Sequence, residues 1–461
     1  MKELPVAKGQ KVEVEITDFT HSGEGVGRVY GMALFVPGAL PGDRVEAVVT
    51  QVKKNFAKGE LVEVLRPSPG RVESDCLVSG ECGGCQLRSF NYQFQLEWKQ
   101  KQVREALRRI GGFEEVEVLP TLGMAEPNNY RNKTQFRVGR SEGRVVFGFY
   151  QQKTNRLVPV SDQGCLLQQE PLNNVVNGVA KLVQELDVPL YDPKSRRGVL
   201  KGILVKSSRL NQEAMVVIVT KTKNLPKGDQ LARLINERYP EVVSIYQNTN
   251  PREHGPFLGK DSQLLWGKET IIDAIGDLKF QISPHSFFQV NSEQTEVLYR
   301  KAREYAGLTG TERVFDLYCG IGTISLFLAP DCREVIGIEE VEQAVADAEA
   351  NAGLNQVKNV SFRAGRVEEV LPELLQSGIK PDVVVLDPPR AGAAPEVLEA
   401  IVQTGVERVV YVSCNPATLA RDLRLLAEHG YEPGEVQPVD MFPHTSHVEC
   451  VVSLQKKLYT T

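Results

Sequence analysis

Two sets of cysteines in this 461-residue chain have the setting for chemistry. The first is the single thiol of Val412-Ser413-Cys414-Asn415-Pro416, at the end of an apolar β-like run and ahead of a helix-like segment from Thr418. Most cysteines of this kind are small buried hydrophobes. A strand end exposes the sulfur instead, and that place favours a reactive thiolate. The second set is Cys76-x5-Cys82-x2-Cys85, with Cys165 further along. Three close thiols and a distant fourth can build a four-sulfur site for zinc or iron–sulfur. Zinc sites more often show two Cys-x2-Cys arms, and here there is one. The eight cysteines are too few and too unevenly spread for a disulfide framework.

Three further segments carry polar groups at strand ends. Asp316-Leu317-Tyr318-Cys319-Gly320-Ile321-Gly322-Thr323 is a glycine turn, where a ligand can approach the backbone. Gly337-Ile338-Glu339 follows, its acid 17 residues after Gly322 and suited to accept both hydroxyls of a ribose. The third glycine of a dinucleotide fingerprint is absent, because Ser325 stands there. That favours a nucleoside without pyrophosphate, such as S-adenosylmethionine. Asp387-Pro388-Pro389-Arg390 makes a rigid loop beside the same edge.

These groups need strands to position them. From about Ser286 the pattern alternates strand and helix, with strands expected at Arg313–Tyr318, Glu334–Ile338, Val360–Arg363, Asp382–Leu386 and Arg408–Ser413. Such alternation implies a doubly wound, mostly parallel sheet. Residues 10–66 read as about five short strands with glycine turns, a small closed barrel of the oligonucleotide-binding kind. Asn91–Ile110 repeats apolar residues at helical spacing. The expected parts are 1–67, a central α+β part 68–285, and 286–461.

Composition fits an ordinary globular protein, with 41% hydrophobic and 25% charged residues. No stretch approaches the roughly 18 apolar residues of a membrane helix. Met1–Pro5 lacks an apolar leader core, so a cytoplasmic protein without a membrane or an obligate protein partner is expected. The net charge of −5 is unevenly shared. Residues 331–461 hold 11 basic and 21 acidic residues, leaving 43 against 38 elsewhere. Asn128–Val160 holds Arg131, Lys133, Arg137, Arg140, Arg144, Lys153 and Arg156 against Glu142, interleaved with Tyr130, Phe136, Phe147, Phe149 and Tyr150. Lys194–Leu210 has six basic residues and no acid. Such patches track phosphates, and aromatic faces can stack on unpaired bases.

The segments Asp316–Thr323, Asp387–Arg390, 412–422 and His447-Val448-Glu449-Cys450 resemble the S-adenosylmethionine-dependent RNA uracil-5-methyltransferases over nearly the whole chain. The N-terminal barrel is similar to a TRAM module. The cysteine set resembles that of members with a 4Fe–4S cluster, which modify 23S ribosomal RNA. The resemblance implies a Rossmann-like methyltransferase domain behind the barrel and an iron–sulfur domain. It implies Cys414 as nucleophile, Glu449 as base, and Gln289, Tyr318, Glu339 and Asp387 as cofactor contacts. It also implies Cys76, Cys82, Cys85 and Cys165 as cluster ligands. His444 and His447 are read as packing or orienting residues, and Arg366 departs from the family's adenine-contacting acid or amide.

The chemistry is coherent on its own terms. Carbon 5 of uracil is a weak nucleophile until a thiolate adds at carbon 6 and turns the ring into an enolate. The target must leave its stack to meet a thiol and a methyl donor together. Ribosomal RNA is the expected substrate, with transfer RNA and cytosine-5 methylation as alternatives.

Overall fold

The computed structural model describes residues 5–151, 154, 156–160 and 164–457. Lys153 of the first basic window lies outside the described residues, as do Met1–Leu4. Alternation in Lys11–Phe19 turns Val12, Val14 and Ile16 inward. Gly25–Val29, Met32–Val36, Arg44–Val52 and Phe56–Arg66 close on it as a five-stranded barrel.

A seven-stranded mixed sheet follows, built from residues between Lys133 and Gly267. Its inner strands Leu200–Ser207 and Ala214–Thr220 are buried along their whole length. One face meets the helices Glu170–Glu185 and Gly228–Arg238. The other, through Leu204, Met215, Val217 and Val219, packs with the hairpin Ile271–Ile282 into the core of the C-terminal sheet.

The C-terminal sheet has the order Val360–Ala364, Glu334–Glu339, Arg313–Leu317, Val383–Leu386, Arg408–Ser413, Glu449–Lys456, Tyr431–Val439. The first five are parallel, as the strand–helix alternation predicts. Glu449–Lys456 and Tyr431–Val439 are not: both pairings at this end are antiparallel. Helices Ser292–Ala306, Thr323–Leu328 and Glu342–Leu354 cover one face. Val367–Gln376, Pro395–Thr404 and Pro416–Glu428 cover the other.

That second face has one more cover, from far upstream. The helix Tyr92–Ala106 is capped by Asn91, whose side chain accepts the Gln93 N–H at 3.0 Å. It passes into a π-helical turn, Leu107–Gly111, and ends at Gly112. Val103 and Leu107 pack with Leu419, Leu423 and Tyr431. On the same helix, Lys99 donates to Asp440 at 2.5 Å and to the Phe442 carbonyl at 3.2 Å. Both charged side chains are fully buried.

Removing one partner of a buried pair leaves an uncompensated charge, at about 3–5 kcal/mol. Lys99→Met should therefore lower the urea-unfolding free energy by about that much, and Lys99→Met/Asp440→Leu should be more stable than the single variant. A single variant within about 1 kcal/mol of wild type would show that the pair carries little.

Candidate active site

The sheet's parallel strands end on one edge, and the turns beyond them build a cleft. After Leu317, Tyr318 takes a left-handed conformation (φ +67°), uncommon for a bulky residue. Gly322 follows at φ +80°, where a Cβ would stand 2.9 Å from the Phe362 ring and 3.1 Å from Ala348. Only glycine fits that approach of turn to sheet. The Glu339 carboxylate accepts the Gly320 N–H at 3.1 Å and the Val341 N–H at 3.0 Å. These two donors fix it at the strand end and leave further lone pairs free for a ligand.

Gln289 comes from the turn ahead of the helix Ser292–Ala306. The buried Lys206 ammonium donates to the carbonyls of Ser283 (2.6 Å) and Ser286 (3.0 Å). Asn132 donates to the Gln289 carbonyl at 3.0 Å. The turn is thus held by the middle sheet.

Cys414 lies just past Arg408–Ser413, and Asn415 locks its turn. The Asn415 side chain accepts the Ala417 N–H at 3.1 Å and donates to the Arg390 carbonyl at 3.1 Å. Buried Asp422 accepts from the Ala393 N–H (2.9 Å) and the Tyr411 hydroxyl (2.6 Å). Together they fasten the Asp387–Arg390 loop to the thiol's own helix. Glu449 begins the antiparallel strand, whose register pairs Ser413 with Cys450. The next step of that register sets Cys414 opposite Glu449, and cross-strand neighbours have Cβ atoms about 5 Å apart.

All six predicted residues, Gln289, Tyr318, Glu339, Asp387, Cys414 and Glu449, line one cavity of about 770 Å³. That is a volume typical of small-molecule sites. Burial, then repulsion from Glu449 and Asp387, pushes the Cys414 thiol up to about 12, with Arg390 pulling it back. Burial likewise holds the Glu449 and Asp387 carboxyls well above the usual range. His447 is held down near 4, by burial first and then Arg390, so it is a neutral imidazole. Its Nε2 stands 3.3 Å from Arg390. The site is a shielded thiol near a shielded carboxyl.

Cys76, Cys82, Cys85 and Cys165 line a second cavity, of about 490 Å³. Arg131, Lys133, Arg390 and Phe442 line both cavities, so the two adjoin. Among the described residues no three Cys, His, Asp or Glu side chains are grouped as ligands of one metal ion. The structure by itself does not support a cluster.

The basic windows are less open than their composition implies. Strand alternation turns Phe136 and Phe147 into the core, and Tyr130 is buried against Met124 and Leu167, so their faces are closed to bases. Tyr150 stays 37% exposed, with Arg137 over its ring. Lys201 and Lys206 of the second window are buried and spend their ammoniums on backbone carbonyls. Arg131 and Lys133, in contrast, line the cavity that holds Cys414 and Glu449. Lys133, its ammonium pushed down to about 8 by burial, sits 5.2 Å from the ring centre of Phe287. Phe287 is 65% exposed at the cavity wall. Sequence reasoning passed over it; its signal was an aromatic two residues before Gln289 with no apolar periodicity to bury it.

The chain is similar to known proteins over nearly its whole length. Residues 268–457 match the family described as tRNA (uracil-5-)-methyltransferase, and residues 5–62 match the TRAM domain. The chain is 48% identical, over 99% of both chains, to an uncharacterized RNA methyltransferase of Halalkalibacterium halodurans. It is 46% identical, over 98% of both, to one of Oceanobacillus iheyensis. Among solved structures it is similar to the Pyrococcus abyssi tRNA (uracil-54, C5)-methyltransferase in complex with S-adenosyl-L-homocysteine. That likeness has 30% identity and a TM-score of 0.77, and it covers 96% of this chain and all of the other.

The raised thiol has a measurable consequence. A thiol with its pKa held up forms thiolate only as pH rises toward that value, so alkylation follows pH upward and does not level off where a free cysteine does. In the ligand-free protein, iodoacetamide labelling of Cys414 should be slow near neutrality. It should still be rising about tenfold per pH unit at pH about 10, beyond the usual thiol pKa of about 8.5. Peptide mass spectrometry reads this directly, and a plateau below pH about 9 would show a thiol left at its ordinary value.

Proposed function

The chain belongs to the RNA uracil-5-methyltransferase family, and we propose that it moves a methyl group from S-adenosylmethionine to carbon 5 of a uridine in 23S ribosomal RNA. The observation that carries this is the single cavity uniting Cys414, Glu449 and the four cofactor candidates. Gln289, Tyr318, Glu339 and Asp387 would hold the cofactor, with Glu339 accepting the ribose hydroxyls. Bound S-adenosylmethionine supplies an electrophilic methyl on a sulfonium.

Cys414 gives its proton to solvent, and the thiolate sulfur adds to carbon 6, which leaves the ring as an enolate. Carbon 5, now enolate-like, takes the methyl. The Glu449 carboxylate removes the carbon 5 proton, the ring double bond re-forms, and the sulfur is expelled. Arg390, near both Glu449 and the thiol, supplies positive charge where the enolate develops. We read the chain as parts 1–67, 68–285 and 286–461, with Arg131 and Lys133 bringing phosphate-binding charge to the cleft.

The cysteine set supports the ribosomal reading through its resemblance to cluster-bearing members. The Pyrococcus abyssi neighbour, which acts on transfer RNA uracil 54, supports transfer RNA as the second reading. Mapping 5-methyluridine in both RNAs of a strain lacking this protein decides between them. With RNA carrying 5-fluorouridine, wild type should form a denaturant-resistant adduct, because fluorine does not leave as a proton does. Cys414→Ala should form none while still binding S-adenosylmethionine. Methylation of natural RNA without any trapped adduct would rule out the covalent route.

The four cysteines would hold a 4Fe–4S cluster, which the methyl transfer does not need for electrons. Anaerobically purified protein should be brown, with about four irons per chain, and Cys165→Ser should bleach it as fully as Cys82→Ser. Stoichiometric zinc and no visible absorption would overturn the assignment.

A further inference from the structure

Gln86 follows Cys85 directly and faces three parts of the molecule at once. Its Nε2 donates to the Gly83 carbonyl, 2.9 Å away, inside the Cys82–Cys85 turn. Its Oε1 accepts the Ser446 N–H at 3.3 Å. The next residue repeats the link in the backbone, where the Leu87 N–H donates to the His444 carbonyl at 3.0 Å. The barrel closes over it: Gly23 has φ +77°, and a Cβ there would stand 2.7 Å from the Gln86 Cβ.

The segment that Gln86 grips runs straight to Glu449, three residues past Ser446. It is tied on other sides by Gln95, which accepts the His444 N–H at 3.0 Å, and by the Tyr130 hydroxyl on the Pro443 carbonyl at 3.2 Å. His444 is held at φ +65°, which a residue with a side chain keeps only when its surroundings impose it. A turn held in that conformation has its ends set by its contacts.

We propose that Gln86 is a positioning residue for Glu449, holding the 444–447 turn against the cysteine turn and so setting the carboxylate opposite Cys414. This rests on the reading of Glu449 as the base that releases the covalent adduct. Gln86→Leu removes both side-chain bonds. Gln86→Glu keeps an acceptor for the Ser446 N–H and loses the donor to Gly83.

The test uses the full chain with its native iron content measured, and RNA from a strain lacking the protein. Gln86→Leu should lower kcat by about five- to tenfold, the worth of one neutral hydrogen bond in a barrier. KM for RNA and affinity for S-adenosylmethionine should stay the same. Denaturant-resistant enzyme–RNA complex should build up on natural RNA, and Gln86→Glu should recover much of the rate. Amide hydrogen exchange over 444–449 should quicken in Gln86→Leu without RNA present. Glu449→Gln is the control. If it accumulates adduct and Gln86→Leu partitions like wild type, the role of Gln86 is wrong. If Glu449→Gln accumulates none, the base assignment fails instead, and unchanged exchange over 444–449 in Gln86→Leu would then sink the positioning role on its own.

Discussion

One pairing sets the geometry of the cleft: Ser413 against Cys450, where the parallel part of the sheet meets its antiparallel neighbour. Parallel strands bring only their carboxyl ends to the ligand edge. An antiparallel strand brings its amino end there, so Glu449, the first residue of its strand, meets Cys414, the first residue past the neighbouring strand. The alternation of side chains then places both on the same face. A slip of one residue would turn one of them into the opposite core. The register is guarded by what it buries, since Val451 and Cys450 belong to cores on opposite faces of the sheet. Packing thus sets the relation of thiol to carboxyl.

Burial at that edge has a chemical price in charge. Burial raises the thiol and both carboxyls, Asp387 raises Glu449 further, and both carboxyls raise Cys414. Such a site is stable only if its turns cannot drift apart. The turn of Cys414 is tied to Arg390 by Asn415, the Arg390 loop to its helix by Asp422, and the approach to Glu449 to the upstream helix by the Lys99–Asp440 pair. These ties come from residues with no part in bond making. They convert a sheet edge into a rigid cleft.

What was legible in the sequence follows a clear physical division. Local periodicity marked the parallel strands to within a residue or so, the helices behind them, and the barrel. Motifs at strand ends, with the family resemblance for Gln289 and Glu449, marked six residues that the fold brings to one cavity. Long-range pairing was not legible. The expected strands stopped at Arg408–Ser413, and nothing local in Tyr431–Val439, broken by Pro433, Gly434 and Pro438, or in Glu449–Lys456 says that these strands run against the sheet. Asn91–Ile110 read correctly as a helix but gave no sign that it covers a sheet some 300 residues away in the chain. Composition misled where burial decides: Phe136, Phe147, Lys201 and Lys206 look like an RNA-facing surface in the chain and are core or clamp in the fold. Gln86 had no motif of its own, because its role lies in joining Gly83 to Ser446.

The charge partition has a structural logic that only the fold makes visible. The sheet that carries Cys414 belongs to the acidic part of the chain and would repel a polyanion on its own. Arg131 and Lys133 come from the middle sheet, yet they line the catalytic cavity as well as the cysteine cavity. Their positive charge is therefore placed at the junction of the two cavities and nowhere else near the cofactor candidates. Lys206, one strand over, is spent on the Gln289 turn and adds position where Lys133 adds charge. In the proposed reaction, capture of the RNA and activation of its base depend on different sheets that share one wall. Substitutions at that wall should act on both, and substitutions deeper in either sheet on one alone. Cleft assembly, then, is the step at which the middle sheet acts on chemistry carried out by the C-terminal one.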